Sequence, residues 1–284
     1  MKFKNTEVMN FEGALRGMRN PLNSWAKSDS SCGIVCEHEE DYLANEVAYV
    51  WADYALKDRK FENEDTYDEE RERLIEQYLE WLYKNGIRYM NCDHHYYANY
   101  IGPNDMDLAK RLIAGGTEHR KFLRQIMVSV DITAPLYWWK EFDTYKVGTT
   151  ANSTSTMHKL ASTPITRECF EMDDYNADNL VIGDDYINDT DYTVYDYTCG
   201  EFVDTIIQHL ENLRQKYNET KDKRYWKEVI RWLPNGWLQT RTITMNYENL
   251  RSMYHQREYH KLTEWHSFCD WVRELPYAED FIIN

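Results

Sequence analysis

The apolar positions of this chain recur at two spacings. Over residues 40–58, Leu43, Val47, Val50, Trp51 and Tyr54 repeat at helical steps, which predicts a first helix. Leu74, Ile75, Tyr78, Leu79 and Leu82 do the same and predict a second from about 68 to 83, with Gly86 beyond its end as a cap. A third helix is predicted from Asn104 or Asp105 to the Gly115-Gly116 pair. Period two then takes over. Ile126, Val128, Val130 and Ile132 alternate with Met127, Ser129 and Asp131, the pattern of a strand that Pro135 should end or hold at an edge. Helical spacing returns over 201–217, where Phe202, Ile206, Leu210, Leu213 and Tyr217 share a stripe, and again at about 246–257 and 260–273. Helices and a long strand coexist without βαβ alternation, so an α+β fold is expected rather than a doubly wound one.

Composition narrows the function classes. With 42% hydrophobic and 15% aromatic residues in 284, the chain can bury a sizeable core and is not disordered. A net charge of −16 argues against general affinity for a nucleic-acid backbone, which needs clustered Lys and Arg. It leaves room for one small anionic ligand held by a few arginines. No stretch approaches the roughly 18 apolar residues of a membrane span, and MKFKNTEVMNFEG lacks the apolar core of a signal peptide. Six scattered cysteines fit a reduced, cytoplasmic protein. Residues 171–197 interleave Asp173, Asp174, Asp178, Asp184, Asp185, Asp189, Asp191 and Asp196 with five tyrosines, which reads as an acidic surface insertion with a hairpin around Gly183. There is no GxGxxG, no P-loop and no G-x-S-x-G.

Candidate chemistry concentrates near the C-terminus. If 246–257 is helical, Asn246 and Arg257 stand three turns plus about 20° apart and share a face, about 16 Å apart along the axis. Asn249 and Met253 lie near that stripe. An amide and a guanidinium so placed could grip a planar polar ligand at two points, the guanidinium supplying a rigid fork of donors. A second concentration, EFDTYKVGTTANSTSTMHKL, offers hydroxyls and amides from Thr149, Thr150, Asn152, Ser153 and Ser155 to an anionic or carbonyl-rich ligand, or forms an ordinary surface turn.

These segments resemble the flavin-dependent thymidylate synthases. That family carries R-x-x-L-P, a short strand, T-x-N-A-R-S-L-x-x-F-L-x-L-R and then Q-W-E-I-R. Here Leu233-Pro234 precedes Asn246 by twelve residues, Arg257 follows eleven later, and Trp265 takes a similar later place. Asn152 and Ser155 match the family's N-x-x-S, Pro135 through Lys140-Glu141-Phe142 is similar to P-x-x-x-x-R-Q-W, and Thr117-Glu118-His119 to T-P-F-E-H with two residues missing. The resemblance implies one α+β domain over 1–284, with a central sheet packed by long helices. A helical N-terminal extension (about 1–100) and the acidic insertion (about 171–199) would decorate it. It further implies FAD as cofactor, NADPH and methylenetetrahydrofolate as co-substrates, a deoxyuridylate substrate, and a homotetramer with shared sites. Arg257 would polarise the pyrimidine. Ser155, Asn152, Arg231, Lys159 and Glu141 would contact the substrate, with Arg231 and Lys159 at its phosphate. Asn246, Lys146, Thr117, His119 and Asn249 would contact flavin.

The departures are specific. The family's R-H-R triplet falls on Tyr145-Lys146-Val147, where one cation survives, and the arginine two places after the first Asn is Glu248. Arg231 is one place nearer Leu233-Pro234 than the family's arginine, and Arg251 is a possible stand-in one turn from Glu248. Each lost arginine removes a charge-assisted contact worth roughly 1.5–3 kcal/mol. Another pyrimidine nucleotide, a hydroxymethylated product, or a non-catalytic interaction protein keeping the fold are therefore alternatives. Cys32, Cys36, His38, Cys92, His94 and His95 also raise a zinc site, though at no familiar finger spacing.

Overall fold

The structure, a computed structural model, describes residues 1–92, 94–155, 160–172, 177–187 and 193–284; for 87–92, 177, 184–187 and 193–195 it describes the backbone alone. In chain order the elements are β1 (Lys2–Met9), α1 (Phe11–Arg19), β2 (Ser31–Cys36), α2 (Tyr42–Leu56), α3 (Glu64–Asn85), β3 (Ile87–Cys92) and β4 (His95–Tyr100). There follow α4 (Pro103–Ala114), β5 (Met127–Pro135), α5 (Leu136–Phe142), β6 (Thr150–Ser153), β7 (Val181–Ile187) and β8 (Thr193–Thr198). The chain closes with α6 (Cys199–Thr220), α7 (Lys223–Trp232), β9 (Leu238–Asn246), α8 (Tyr247–Arg257) and α9 (Thr263–Arg273). Among the described residues three sheets have the orders β1-β5-β9-β6, β2-β4-β3 and β7-β8, with no βαβ wind, so the fold is α+β. Among the described residues no helix is long and apolar enough to cross a membrane. The helical extension expected over about 1–100 carries strands β1 to β4 beside its helices. Contacts divide the chain into two compact units, one of residues 1–4, 131–146 and 151–242, the other of 5–130, 147–150 and 243–284.

In the second of these units, β4 pairs antiparallel with β2 and β3, and α2 and α3 cover the sheet. Val35, Leu43, Val47, Leu74, Leu82, Ala98 and Tyr100 form that core. Asp41 explains where α2 begins. Its Oδ1 accepts from the Ala44 N–H, and its Oδ2 accepts from the Tyr96 and Tyr100 hydroxyls at 2.8 and 2.6 Å. A buried carboxylate is tolerated because three donors replace its water. Helix α4 is capped from outside itself. Asp29 accepts the N–H groups of Asn104 and Asp105, and a Cβ at Gly102 would collide with Asp29, which is why glycine stands at that N-cap. Burial raises the Asp29 carboxyl above its ordinary value. Below the cap, Arg19 is only 4% exposed and pairs with the fully buried Asp105, whose other oxygen accepts from Ser28 and Ser30 at 2.6 Å each. A cavity of about 280 Å³ adjoins them, lined by Arg16, Arg19, Trp25, Cys32 and Asn99. A second core joins Phe11, Tyr247, Tyr277 and Phe281, with ring centroids 5.4–6.0 Å apart.

In the other unit, Trp138 of α5 stacks on Phe142 while Trp139 meets both rings edge to face, and Leu160, Ile165, Phe170, Leu210 and Val229 form a separate core. The Pro135 expected to stop β5 is its last residue, and the backbone turns directly into α5. Helix α6 starts in a Thr198–Glu201 capping box. Of its expected stripe, Leu210 is buried and Ile206 and Leu213 rest against the core, while Phe202, nearest the start, is 47% exposed beside a groove formed with Phe170, Met172 and Pro234. The acidic insertion contains the β7–β8 hairpin, but Gly183 sits at an irregularity inside β7 rather than at the turn. Asp173, Asp174, Asp189 and Asp191 lie outside the described residues. Asp178 is held, with Asp204, by the fork of Arg167.

Glu211 of α6 accepts two bonds from Arg214 at 2.6 and 2.7 Å, one from the Ile165 N–H and one from Gln215. The Arg214 bonds, above all, hold its carboxyl down to about 2. A depressed folded value stabilises above the unfolded pKa of about 4.5, and that contribution is lost as pH falls toward the folded value. Glu211→Gln is expected to lose about 1–2 kcal/mol in urea unfolding at neutral pH, less than the shift alone implies because water still reaches the pair. The gap to the parent should close between about pH 5 and about pH 2. A gap that does not change with pH would contradict the assigned cause.

Candidate functional site

In the unit that contains α8, the strand β9 runs straight into that helix and Asn246 is the residue between them. Asn246 and Asn249 form a reciprocal capping box. Asn246 Oδ1 accepts the Asn249 N–H at 2.9 Å, and Asn249 Oδ1 accepts the Asn246 N–H at 3.2 Å. Asn249 Nδ2 also donates to the Val147 carbonyl at 2.8 Å, so the segment 147–150 lies on the two amides. Gly148 there has φ +75°, and a Cβ on it would stand 2.9 Å from Asn249 Oδ1 and 3.1 Å from Asn246 Nδ2. Both the left-handed backbone and the close approach call for glycine.

Glu248, in the first turn of α8, complements the positive end of the helix and takes the guanidinium of Arg120 at 2.9 Å. Arg120 also donates to the Thr117 hydroxyl at 3.4 Å. His119 is exposed, and its ring lies over Gly115, where a Cβ would come within 3.1 Å of it. Residues 117–120, 147–150 and 246–249 thus meet around the start of α8. Arg251 does not stand in for the missing arginine. Its Nη1 donates to the carbonyls of Ile282 and Asn284 at 2.8 and 2.6 Å, and burial, then the charge of Arg120, pulls it below the usual arginine range. Met253 is fully buried with Leu250 and Tyr254, so it belongs to the core rather than to a ligand face. Arg257 closes the helix half-buried, its guanidinium 4.6 Å from the ring centre of the buried Trp265. A cation over an indole face is held by the ring quadrupole and keeps its N–H groups in plane for other acceptors.

The other unit holds the remaining expected residues. Glu141 stands half-buried near the end of α5, and Lys146 is exposed. Asn152 is exposed in the short strand β6. Ser155 is half-buried just beyond it, where Thr154 bonds to the Thr240 carbonyl and receives a bond from Gln239. The serine/threonine-rich loop expected here is therefore partly a strand. Arg231, in the last turn of α7, pairs on the surface with Glu228. Lys159 lies outside the described residues.

Arg241 and Arg120 were missed by the sequence reading. Arg241 donates to Asp143 Oδ1 at 2.6 Å and Gln239 Oε1 at 2.9 Å, and it covers Trp139 at 4.2 Å from the ring centre. Its side chain is 14% exposed. The available signal was period two: Arg241 shares a strand face with the buried Ile243 and Met245, and a charge on a buried face marks an exception. Nothing in the sequence separates Arg120 from the other cations around it.

No known protein-family profile matches the chain, and no curated protein matches it. Solved structures do. The flavin-dependent thymidylate synthase ThyX from Helicobacter pylori, complexed with FAD and dUMP, is 13% identical, with a TM-score of 0.44 over 87% of this chain and 97% of that one. The UMP/dUMP methylase PolB from Streptomyces cacaoi, bound with 5-Br dUMP, is 14% identical, with a TM-score of 0.43 over 89% of this chain and 95% of that one. Structural neighbours of this chain thus include a flavin-dependent thymidylate synthase and a UMP/dUMP methylase, at low identity to it.

Proposed function

We propose that this chain is a flavin-dependent nucleotide methyltransferase that converts deoxyuridylate to thymidylate. In this reading it uses FAD, methylenetetrahydrofolate and NADPH and works as a cytoplasmic homotetramer with shared sites. The reading is carried by one observation: segments 117–120, 147–150 and 246–249, remote in sequence, converge in one unit around Asn246, Asn249, Thr117 and Arg120. Amide, hydroxyl, imidazole and guanidinium donors of this kind fit the phosphates and ring carbonyls of a flavin dinucleotide. Asn246, Asn249, Thr117, His119 and Lys146 are its proposed contacts.

When bound and reduced, flavin supplies the hydride that the protein cannot. The residues do the rest. Arg257 faces the uracil carbonyl and stabilises the charge that gathers there as the ring is reduced, which is the electrostatic share of catalysis. Its stacking on Trp265 fixes the fork before substrate arrives. Ser155, Asn152 and Glu141 orient the nucleotide, and Arg231 and Lys159 take its phosphate.

Titration of purified apoprotein with FAD is expected to give a saturable complex of one flavin per chain with the absorbance of bound flavin. A protein that stays colourless and takes up no FAD would sink the proposal and favour a non-catalytic interaction protein. If flavin binds, tritium release from 5-tritiated deoxyuridylate tests the substrate. Release from 5-tritiated uridylate or cytidylate instead would keep the flavin reading and move the substrate.

A further inference from the structure

We propose that Glu37, His38 and His94 form a site for one divalent zinc ion. The site does not depend on the flavin reading. Strand β2 ends with Cys36 opposite His95 of β4, and just beyond that pair the Glu37 N–H donates to the His94 carbonyl at 2.7 Å. The residue after β2 and the residue before β4 are thereby fixed face to face. One ligand atom from each of the three side chains lies within 4.8 Å of the others, and all three are exposed. Among the described residues no other three such donors come as close.

The geometry fits a metal better than a hydrogen bond. Glu37 Oε2 and His94 Nδ1 are 3.5 Å apart, long for a bonded pair. Tetrahedral zinc, with bonds of about 2.0–2.1 Å, sets its ligand atoms about 3.4 Å apart. The His38 and His94 rings lie 4.6 Å apart and tilted by 39°, so His38 completes the set by a side-chain rotation that its exposure permits. Two neutral imidazoles and a carboxylate are a donor set for zinc, with a fourth position for water. The charge of −16 on the chain, with Glu39 and Glu40 next along it, favours a dication here. The cysteines weighed in the sequence are replaced by Glu37 as the third donor.

The test is calorimetric titration of the chelator-treated, full-length protein with zinc chloride, paired with the visible spectrum on adding cobalt(II). Saturation at one zinc per chain and tetrahedral cobalt bands are expected. His38→Ala and His94→Ala should each weaken binding by at least about tenfold with an unchanged circular dichroism spectrum, and Glu37→Gln should weaken it as well. No saturable uptake would overturn the site. So would equal affinity in the His38→Ala/His94→Ala double variant, which would mean adventitious binding elsewhere.

Discussion

Arg257→Ala is expected to lower tritium release from 5-tritiated deoxyuridylate by about a hundredfold to a thousandfold, the usual consequence of deleting one preorganised donor at a site of developing charge. Flavin uptake should change little, because Asn246 and Asn249, two of the proposed flavin contacts, stand at the opposite end of α8. The fall should appear in kcat as much as in kcat/KM if the guanidinium acts on the transition state rather than on binding. Arg257→Lys restores the charge but not the planar fork over Trp265, and it should recover only part of the activity. The stacking lost in Arg257→Ala is worth about 0.5–1 kcal/mol, so the variant should stay folded. Full turnover in that variant would remove Arg257 from the chemistry.

Asp105→Ala should be the most destabilising single change outside the aromatic cores, at about 3–5 kcal/mol. The carboxylate is wholly buried, Arg19 is 4% exposed, and Ser28 and Ser30 both aim their hydroxyls at it. Removing Asp105 leaves a guanidinium out of water with no counter-charge and two hydroxyls without their acceptor. Replacing both ions, as Arg19→Met/Asp105→Leu, should recover most of the loss, since the cost lies in stranding one charge rather than in losing the pair. Urea midpoints at constant slope provide the measurement. A loss under about 1 kcal/mol in Asp105→Ala would mean that water reaches Arg19 from the adjoining cavity.

Local rules were readable wherever a segment's burial pattern is its own. The alternation at 126–132 is β5, with Val128, Val130, Ile132 and Ala134 buried. The stretch about 246–257 is α8 with Asn246 as its cap, and the predicted helices at 40–58 and 68–83 are α2 and a longer α3. Strands β2 and β4 escaped because Cys, Gly, Asn and Tyr blur a period-two signal. Phe202 shares the apolar stripe of α6 yet is exposed, because spacing gives the face of a helix but not how far along it the partner extends.

At the candidate site the division is similar. That Asn246 and Arg257 bracket one helix follows from eleven residues at a fixed rise and turn. That Asn246 spends Oδ1 on the cap, that Arg251 holds the C-terminal carbonyls, and that Arg120 answers Glu248 do not follow from any spacing. The sequence by itself determined the α+β class, the long helices and the ends of α8, because propensity, capping and periodicity act over a few residues. Only the tertiary structure decided which charges meet. Arg19 finds Asp105 across 86 residues, Arg241 finds Asp143 across 98 and Arg120 finds Glu248 across 128. Each pairing depends on side chains far apart in sequence being brought to within about 3 Å, where the charges of the two groups act on one another directly.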